Sequence, residues 1–218
     1  MSSKLSLSLA ALAVVATAAP ASAAADPTRY LGLDQARVLG SGVMETTMGT
    51  AANQVDFRYG LMKDYELAVG YGFQSGMGLD KVAAGGLGLG LKYLVGDLAG
   101  LKVAGLVSVS VPSLSSPGTG LGYGASLPLG LALGGLNLDV QPYLDNGGMG
   151  AHVGVRQNLS TNLDILARAT VGTAGLAVKS GLRYSLGGGG WLDLGLVDLD
   201  AKNNLTWGMV SLSFVGAR

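Results

Sequence analysis

The chain has no cysteine, one histidine (His152), 13% charged residues and 6% aromatics. Without thiols there is no disulfide, no thiolate nucleophile and no cysteine metal site, so stability in an oxidising compartment needs another source. Lys and Arg number 14 against 14 Asp and Glu. They form no basic tract and no platform of interleaved aromatics, so no nucleic-acid footprint is visible. Charge is absent between Lys102 and Asp139, yet this stretch does not read as a membrane helix. It contains Pro112, Pro117 and Pro128, and its apolar residues Val107, Val109, Val111, Leu121, Tyr123, Leu127, Leu129, Leu131 and Leu133 recur at every second position, where a helix would repeat at three and four.

What is abundant is glycine, 37 of 218 residues, in a chain of mean hydropathy +0.42. Glycine suits neither helix nor ordinary strand interiors, so this mixture does not describe a soluble core. From about Gln54 onward, large apolar residues alternate with small or polar ones. In 65–73, Leu67, Val69, Tyr71 and Phe73 take one face; Glu66, Ala68, Gly70 and Gly72 take the other. Segments of roughly 9 to 11 residues with this dyad period are what a tilted strand needs to cross a bilayer. The fold class expected is all-β: a single antiparallel transmembrane β-barrel of about twelve strands, within a range of ten to fourteen.

The N-terminus carries Lys4, an apolar stretch over 5–19 and Ala21-Ser22-Ala23, the pattern of a cleavable export signal over 1–23. Its removal takes away one base and no acid, leaving 13 Lys and Arg against 14 Asp and Glu, a net charge of −1. Residues 24–36 read as a short periplasmic lead and 37–218 as the barrel. Strands are expected near 37–45, 54–61, 65–73, 83–95, 101–111, 120–133, 136–145, 150–159, 163–171, 174–184, 191–197 and 205–215. The turns at 62–64, 96–100, 134–135, 160–162 and 185–190 would be periplasmic; the remaining connections would face outward.

The run Arg58-Tyr-Gly-Leu-Met-Lys-Asp-Tyr-Glu-Leu-Ala-Val-Gly-Tyr-Gly72 resembles the strand-turn-strand repeat of Gram-negative outer-membrane β-barrel proteins. Val155-Arg-Gln-Asn-Leu-Ser-Thr-Asn-Leu-Asp-Ile165 and Leu182-Arg-Tyr-Ser-Leu-Gly187 repeat the pattern. At the C-terminus Gly208, Val210, Leu212 and Phe214 alternate in a way similar to the assembly-signal strand of such proteins, although four residues follow Phe214. The resemblance implies residence in the cell outer membrane, contact with its lipid and lipopolysaccharide, and insertion by the barrel assembly machinery. A monomer is expected.

Charges within strands fall opposite the large apolar side chains, as lipid demands: Arg or Lys on the lipid face at mid-depth costs about 2–4 kcal/mol. Folding the hairpins sets Arg58 across from Glu66, Arg156 near Asp164 and Arg183 near Asp193, and brings Lys92 and Lys102 together as like charges. These eight residues are expected to form an inward charged girdle near the periplasmic end, either setting ion preference or filling the interior with cross-strand pairs. Asp56, Asp139, His152, Arg168 and Lys179 are further lumen-facing candidates. Beyond them Gly70, Gly88, Gly122, Gly124, Ser108 and Ser110 would leave the lumen open toward the exterior. Interfacial aromatics are expected at Tyr59, Tyr65, Tyr93, Tyr184 and Trp191 near the inner turns, and at Tyr71, Phe73, Tyr123 and Trp207 near the outer ends.

Neither His152 nor the Gly-x-Gly runs support an enzyme. No Ser-His-Asp arrangement accompanies the histidine, and the glycines continue a strand with no following helix and no Gly-Lys-Ser/Thr. The functions left are a passive porin-like channel for small solutes and a non-conducting structural or surface-interaction barrel; an outer-membrane enzyme or a secreted soluble β-protein fits less well.

Overall fold

The computed structural model describes residues 26–31, 33–49, 54–72, 74–75, 82–83, 86–111, 120–146, 148–173, 175–199, 205–206 and 209–217. Among them no helix is long and apolar enough to cross a membrane. Strands dominate: β1 (Val43–Gly49), β2 (Gln54–Met62), β3 (Tyr65–Gly72), β4 (Leu87–Leu98), β5 (Leu101–Val111), β6 (Gly122–Ser126 and Leu129–Leu133, interrupted at Pro128), β7 (Leu136–Asp145), β8 (Gly148–Ser160), β9 (Leu163–Gly172), β10 (Gly175–Gly187), β11 (Gly190–Leu199) and β12 (Met209–Ala217). Each pairs antiparallel with its neighbours in sequence, and β12 returns to β1 through Ser213↔Thr47 and Val215↔Glu45. The result is a closed antiparallel barrel of twelve strands. Closure leaves no unpaired sheet edge, which supplies the stability that disulfides do not.

The barrel is inside-out by the standard of a soluble protein. Phe57, Val109 and Tyr123 point outward and are 46%, 54% and 62% exposed, whereas Glu66, Lys92 and Arg183 point inward and are fully buried. The dyad period places the two chemistries on opposite faces of every strand.

The first strand departs from the sequence reading. It begins at Val43, not Arg37, and extends to Gly49, into residues expected to form a loop. Gly42, with φ +76°, turns the chain into the wall, where its N–H donates to the Gly60 carbonyl. The corner packs so closely that a Cβ on Gly60 would lie 2.0 Å from the Gly40 carbonyl oxygen. Before that corner, residues 26–39 contact the inward faces of strands from β1 to β12. The expected periplasmic lead at 24–36 is therefore, from Asp26 onward, a segment inside the barrel. It occupies the lumen at the level of the buried charges, against Arg58, Glu66, Lys92, Arg156 and Arg183. The physical reason is charge: a wall lined with buried Arg, Lys, Asp and Glu needs partners, and this segment supplies them.

Candidate functional site

Residues 26–31 and 33–39 fold as a small knob with its own hydrogen bonds. Arg29–Tyr30 pairs antiparallel with Leu33–Asp34, Leu31 closes the turn with φ 45°, and the Gln35 N–H donates to the Thr28 carbonyl. Two apolar contacts seat it. Tyr30 and Leu33 pack on Leu166, an inward leucine of β9, and Leu39 packs on Trp191 and Val215. Gly154 of β8 provides the space, for a Cβ there would lie 2.3 Å from the Tyr30 hydroxyl and 2.5 Å from Leu33 Cδ2.

Polar contacts surround this seat. Arg58 Nη1 donates to Asp34 Oδ1 at 2.5 Å and to Glu66 Oε1 at 2.7 Å, and Lys92 Nζ lies 3.6 Å from the same Asp34 oxygen. The Thr28 N–H and hydroxyl both donate to Glu45 Oε2, at 2.7 and 2.9 Å, and the Leu39 N–H donates to Glu66. On the opposite wall Arg183 grips Asp193 through two bonds of 2.6 and 2.7 Å and also donates to the Arg29 carbonyl. Arg156 lies between Asp164, at 3.0 Å, and Asp26, at 2.8 Å. Tyr30 donates its hydroxyl to Asp139 at 3.0 Å, Arg29 donates to Asp56 at 2.8 Å, and Arg168 donates to the Leu31 carbonyl at 2.6 Å.

Electrostatics favour the charged knob in this site. Burial alone pushes the Asp34 carboxyl up, but Arg58, Lys92 and Arg29 outweigh it and hold the group well below the ordinary aspartate range. Asp26 behaves alike, with burial opposed by Arg37 and Arg156. Burial and the neighbouring Asp139 carboxylate push the Tyr30 phenol up, so it stays protonated as a donor.

The structure thus brings Arg58 to Glu66, Arg156 to Asp164 and Arg183 to Asp193, all through side chains on the lumen face. It does not bring Lys92 to Lys102. The hairpin turns tightly at Ala99 and Gly100, inside the 96–100 turn expected, so Lys102 stands opposite Asp97 and Lys92 opposite Leu106. Lys92 is fully buried against Asp34. Lys102 instead lines an exposed recess of about 140 Å³ beside the knob, with Arg37, Asn137 and Asp139. His152 stacks on Tyr143 with ring centroids 4.5 Å apart, and its Nδ1 is 2.9 Å from both Thr170 and Arg168. Lys179 stands opposite Arg168 in the β9–β10 register and opposite Asp198 in β10–β11.

Among the interfacial aromatics, Tyr59, Tyr65, Tyr93 and Tyr184 lie exposed on the outer face near the short turns, and the Tyr65 and Tyr93 rings approach to 4.7 Å. Tyr123 is exposed and Tyr71 half-buried at the other end. Trp191 is a correction: it is 8% exposed and faces the lumen beneath Arg183, at 5.9 Å from the guanidinium carbon. It shares parity with Asp193, so an inward Asp193 requires an inward Trp191. In β12, Val210 and Leu212 pair with Leu194 and Leu192, and Phe214 with Gly190. Phe73, Trp207 and Gly208 lie outside the described residues. Glu45, Gln141, Tyr143 and Leu166 are lumen residues that the sequence reading did not single out. Among the described residues no group of three or more His, Asp or Glu could hold a metal ion.

No protein-family profile and no curated protein matches the chain. Solved structures do. The NanC porin superimposes over 81% of this chain and 98% of its own, with a TM-score of 0.52 and 10% identity. The KdgM porin, solved in complex with disordered oligogalacturonate, covers the same shares with a TM-score of 0.52 and 11% identity. A mutant Rhodopseudomonas blastica porin matches 74% of this chain, which spans about half (54%) of that longer porin, at a TM-score of 0.44 and 13% identity. The chain has the closed antiparallel β-barrel fold of the NanC and KdgM porins.

Proposed function

We propose that this protein is a porin-like barrel of the outer membrane, a passive conduit for small polar solutes. The observation that carries the reading is the closed twelve-stranded wall, apolar outside and charged within. Such a wall exposes to lipid only what lipid tolerates and surrounds a polar bore. Inward residues of both signs alternate around that bore, as Arg58 and Glu66 or Arg183 and Asp193 do, so it suits polar solutes without a filter of one sign. The KdgM porin of this fold, solved in complex with disordered oligogalacturonate, supports a polar solute. The signal over 1–23 would deliver the chain to the periplasm, and the strand containing Val210, Leu212 and Phe214 would present it to the assembly machinery for insertion as a monomer. Catalysis forms no part of this reading: His152 is engaged with Thr170, Arg168 and Tyr143.

Planar-bilayer recording of the folded protein, with and without residues 26–39, tests the proposal. Discrete openings in either form are expected. Silence of both, with the barrel correctly folded, would leave the second reading, a non-conducting structural barrel, which the occupied lumen favours.

A further inference from the structure

The knob formed by residues 26–39 could be permanent filling or a movable stopper, and three observations separate these. First, the wall is complete without it. All twelve strand pairings are made between wall strands, and the backbone-to-backbone bond nearest this segment is the corner one from Gly42 to Gly60; its other bonds to the wall run through side chains. Withdrawing the knob therefore breaks no sheet ladder. Second, the knob keeps its own hairpin bonds, Arg29 with Asp34 and Gln35 with Thr28, so it can move as a unit. Third, four ion pairs reach from it to the wall, beside its hydrogen bonds and its two small apolar seats. Asp26 and Asp34 meet Arg156, Arg58 and Lys92, while Arg29 meets Asp56. Water and salt can replace such contacts in an opened bore, whereas a fully apolar plug would have no such substitute. Within the wall, Arg58 keeps Glu66, and Arg183 keeps Asp193, when the knob leaves.

We infer that residues 26–39 are a removable internal plug, anchored to the wall at the Gly40-Ser41-Gly42 corner, which closes the conduction path and opens it by leaving its seat. The inference rests on the channel reading and adds its regulation: the chain carries its own stopper, latched by Asp34 between Arg58 and Lys92.

Three variants of the full-length protein test it by single-channel recording. Deletion of residues 26–39 should raise conductance roughly threefold or more, since a barrel wider than eight strands has room for an open bore. Gly154→Leu should do the same if the deletion impairs folding, because the nearest atoms its side chain meets belong to Tyr30 and Leu33 and not to the wall. The third variant uses the absence of cysteine. A Cβ on Gly130 would lie 3.3 Å from Ala36 Cβ, close to the ~3.5–4.5 Å spanned by a disulfide. Ala36→Cys with Gly130→Cys, placed in an Asp34→Ala background, should conduct little when oxidised and open on reduction. A deletion that conducts no more than the intact protein overturns the plug while leaving the channel reading standing. A reduced Asp34→Ala form that stays as closed as the oxidised one shows permanent filling and also overturns it. Silence of every folded form removes the channel reading, and the plug with it.

Discussion

At the scale of single residues, Arg58, Arg156 and Arg183 each hold a wall carboxylate at short range inside the lumen. Asp34 is the most heavily committed, since Arg58 and Lys92 both converge on it. Asp34→Asn removes the carboxylate 3.6 Å from the fully buried Lys92 and leaves it only the more distant Glu66 and Glu45, and breaking a buried pair from one side typically costs about 3–5 kcal/mol. The expected outcome is a knob that opens locally while the wall holds: hydrogen exchange of the Gln35 amide rises at least about tenfold, with β8 and β9 amides unchanged. Trp191 offers a second residue-level test. In a Trp207→Phe protein it is the only indole, and its place under Arg183 predicts little quenching by brominated lipids; strong quenching would place it on the outer face instead.

At the scale of elements, a strand is specified by which of its faces meets lipid. Val153 lies midway along β8 on the outer face, two residues from Val155 and opposite in parity to Gly154 and Arg156. Val153→Arg should cost about 2–4 kcal/mol in a denaturant titration of the folded barrel in lipid. Arginine at an inward position of the same strand is already present as Arg156, bonded to Asp26 and Asp164. Wall strands such as β2, β3, β5 and β7 were legible in the alternation almost to the residue. The limits of β1 were not, because Gly40, Ser41 and Gly42 have no large side chain to mark a face. The corner they make depends on the backbone of Gly60, a residue from another strand.

At the scale of the whole molecule, the contacts between knob and wall include buried ion pairs, so their docking depends on pH. Asp34 faces Arg58 on β2, Lys92 on β4 and Arg29 on its own hairpin, with Glu66 on β3 and Glu45 on β1 nearby. Its pKa is lowered in the docked state, so its contribution is fully present above the ordinary aspartate value and is lost as pH falls through the lowered one. Docking should thus persist from neutral pH down to roughly pH 4 and weaken only below it. Conductance recorded in steps from pH 7 toward pH 3 should stay low and then rise; a rise near pH 6 would point to a different titrating group.

The sequence by itself determined the barrel. Period-two alternation, the absence of cysteine and the sorting of charge away from large apolar residues are local properties, and lipid outside with polar groups inside is their consequence wherever the strands close. It also placed Arg58 with Glu66, Arg156 with Asp164 and Arg183 with Asp193, since a hairpin brings near neighbours in the chain together. What occupies the bore was decided by the tertiary structure. Asp34 meets Lys92, and Tyr30 meets Asp139, across 58 and 109 positions of the chain. No alternation rule couples residues that far apart. A hint was present in Leu166, an apolar residue on the polar face between Asp164 and Arg168, but its meaning required the partner. Only a closed ring of strands creates an interior that Tyr30 and Leu33 can enter, and only there do buried charges from opposite walls need the same short segment to satisfy them.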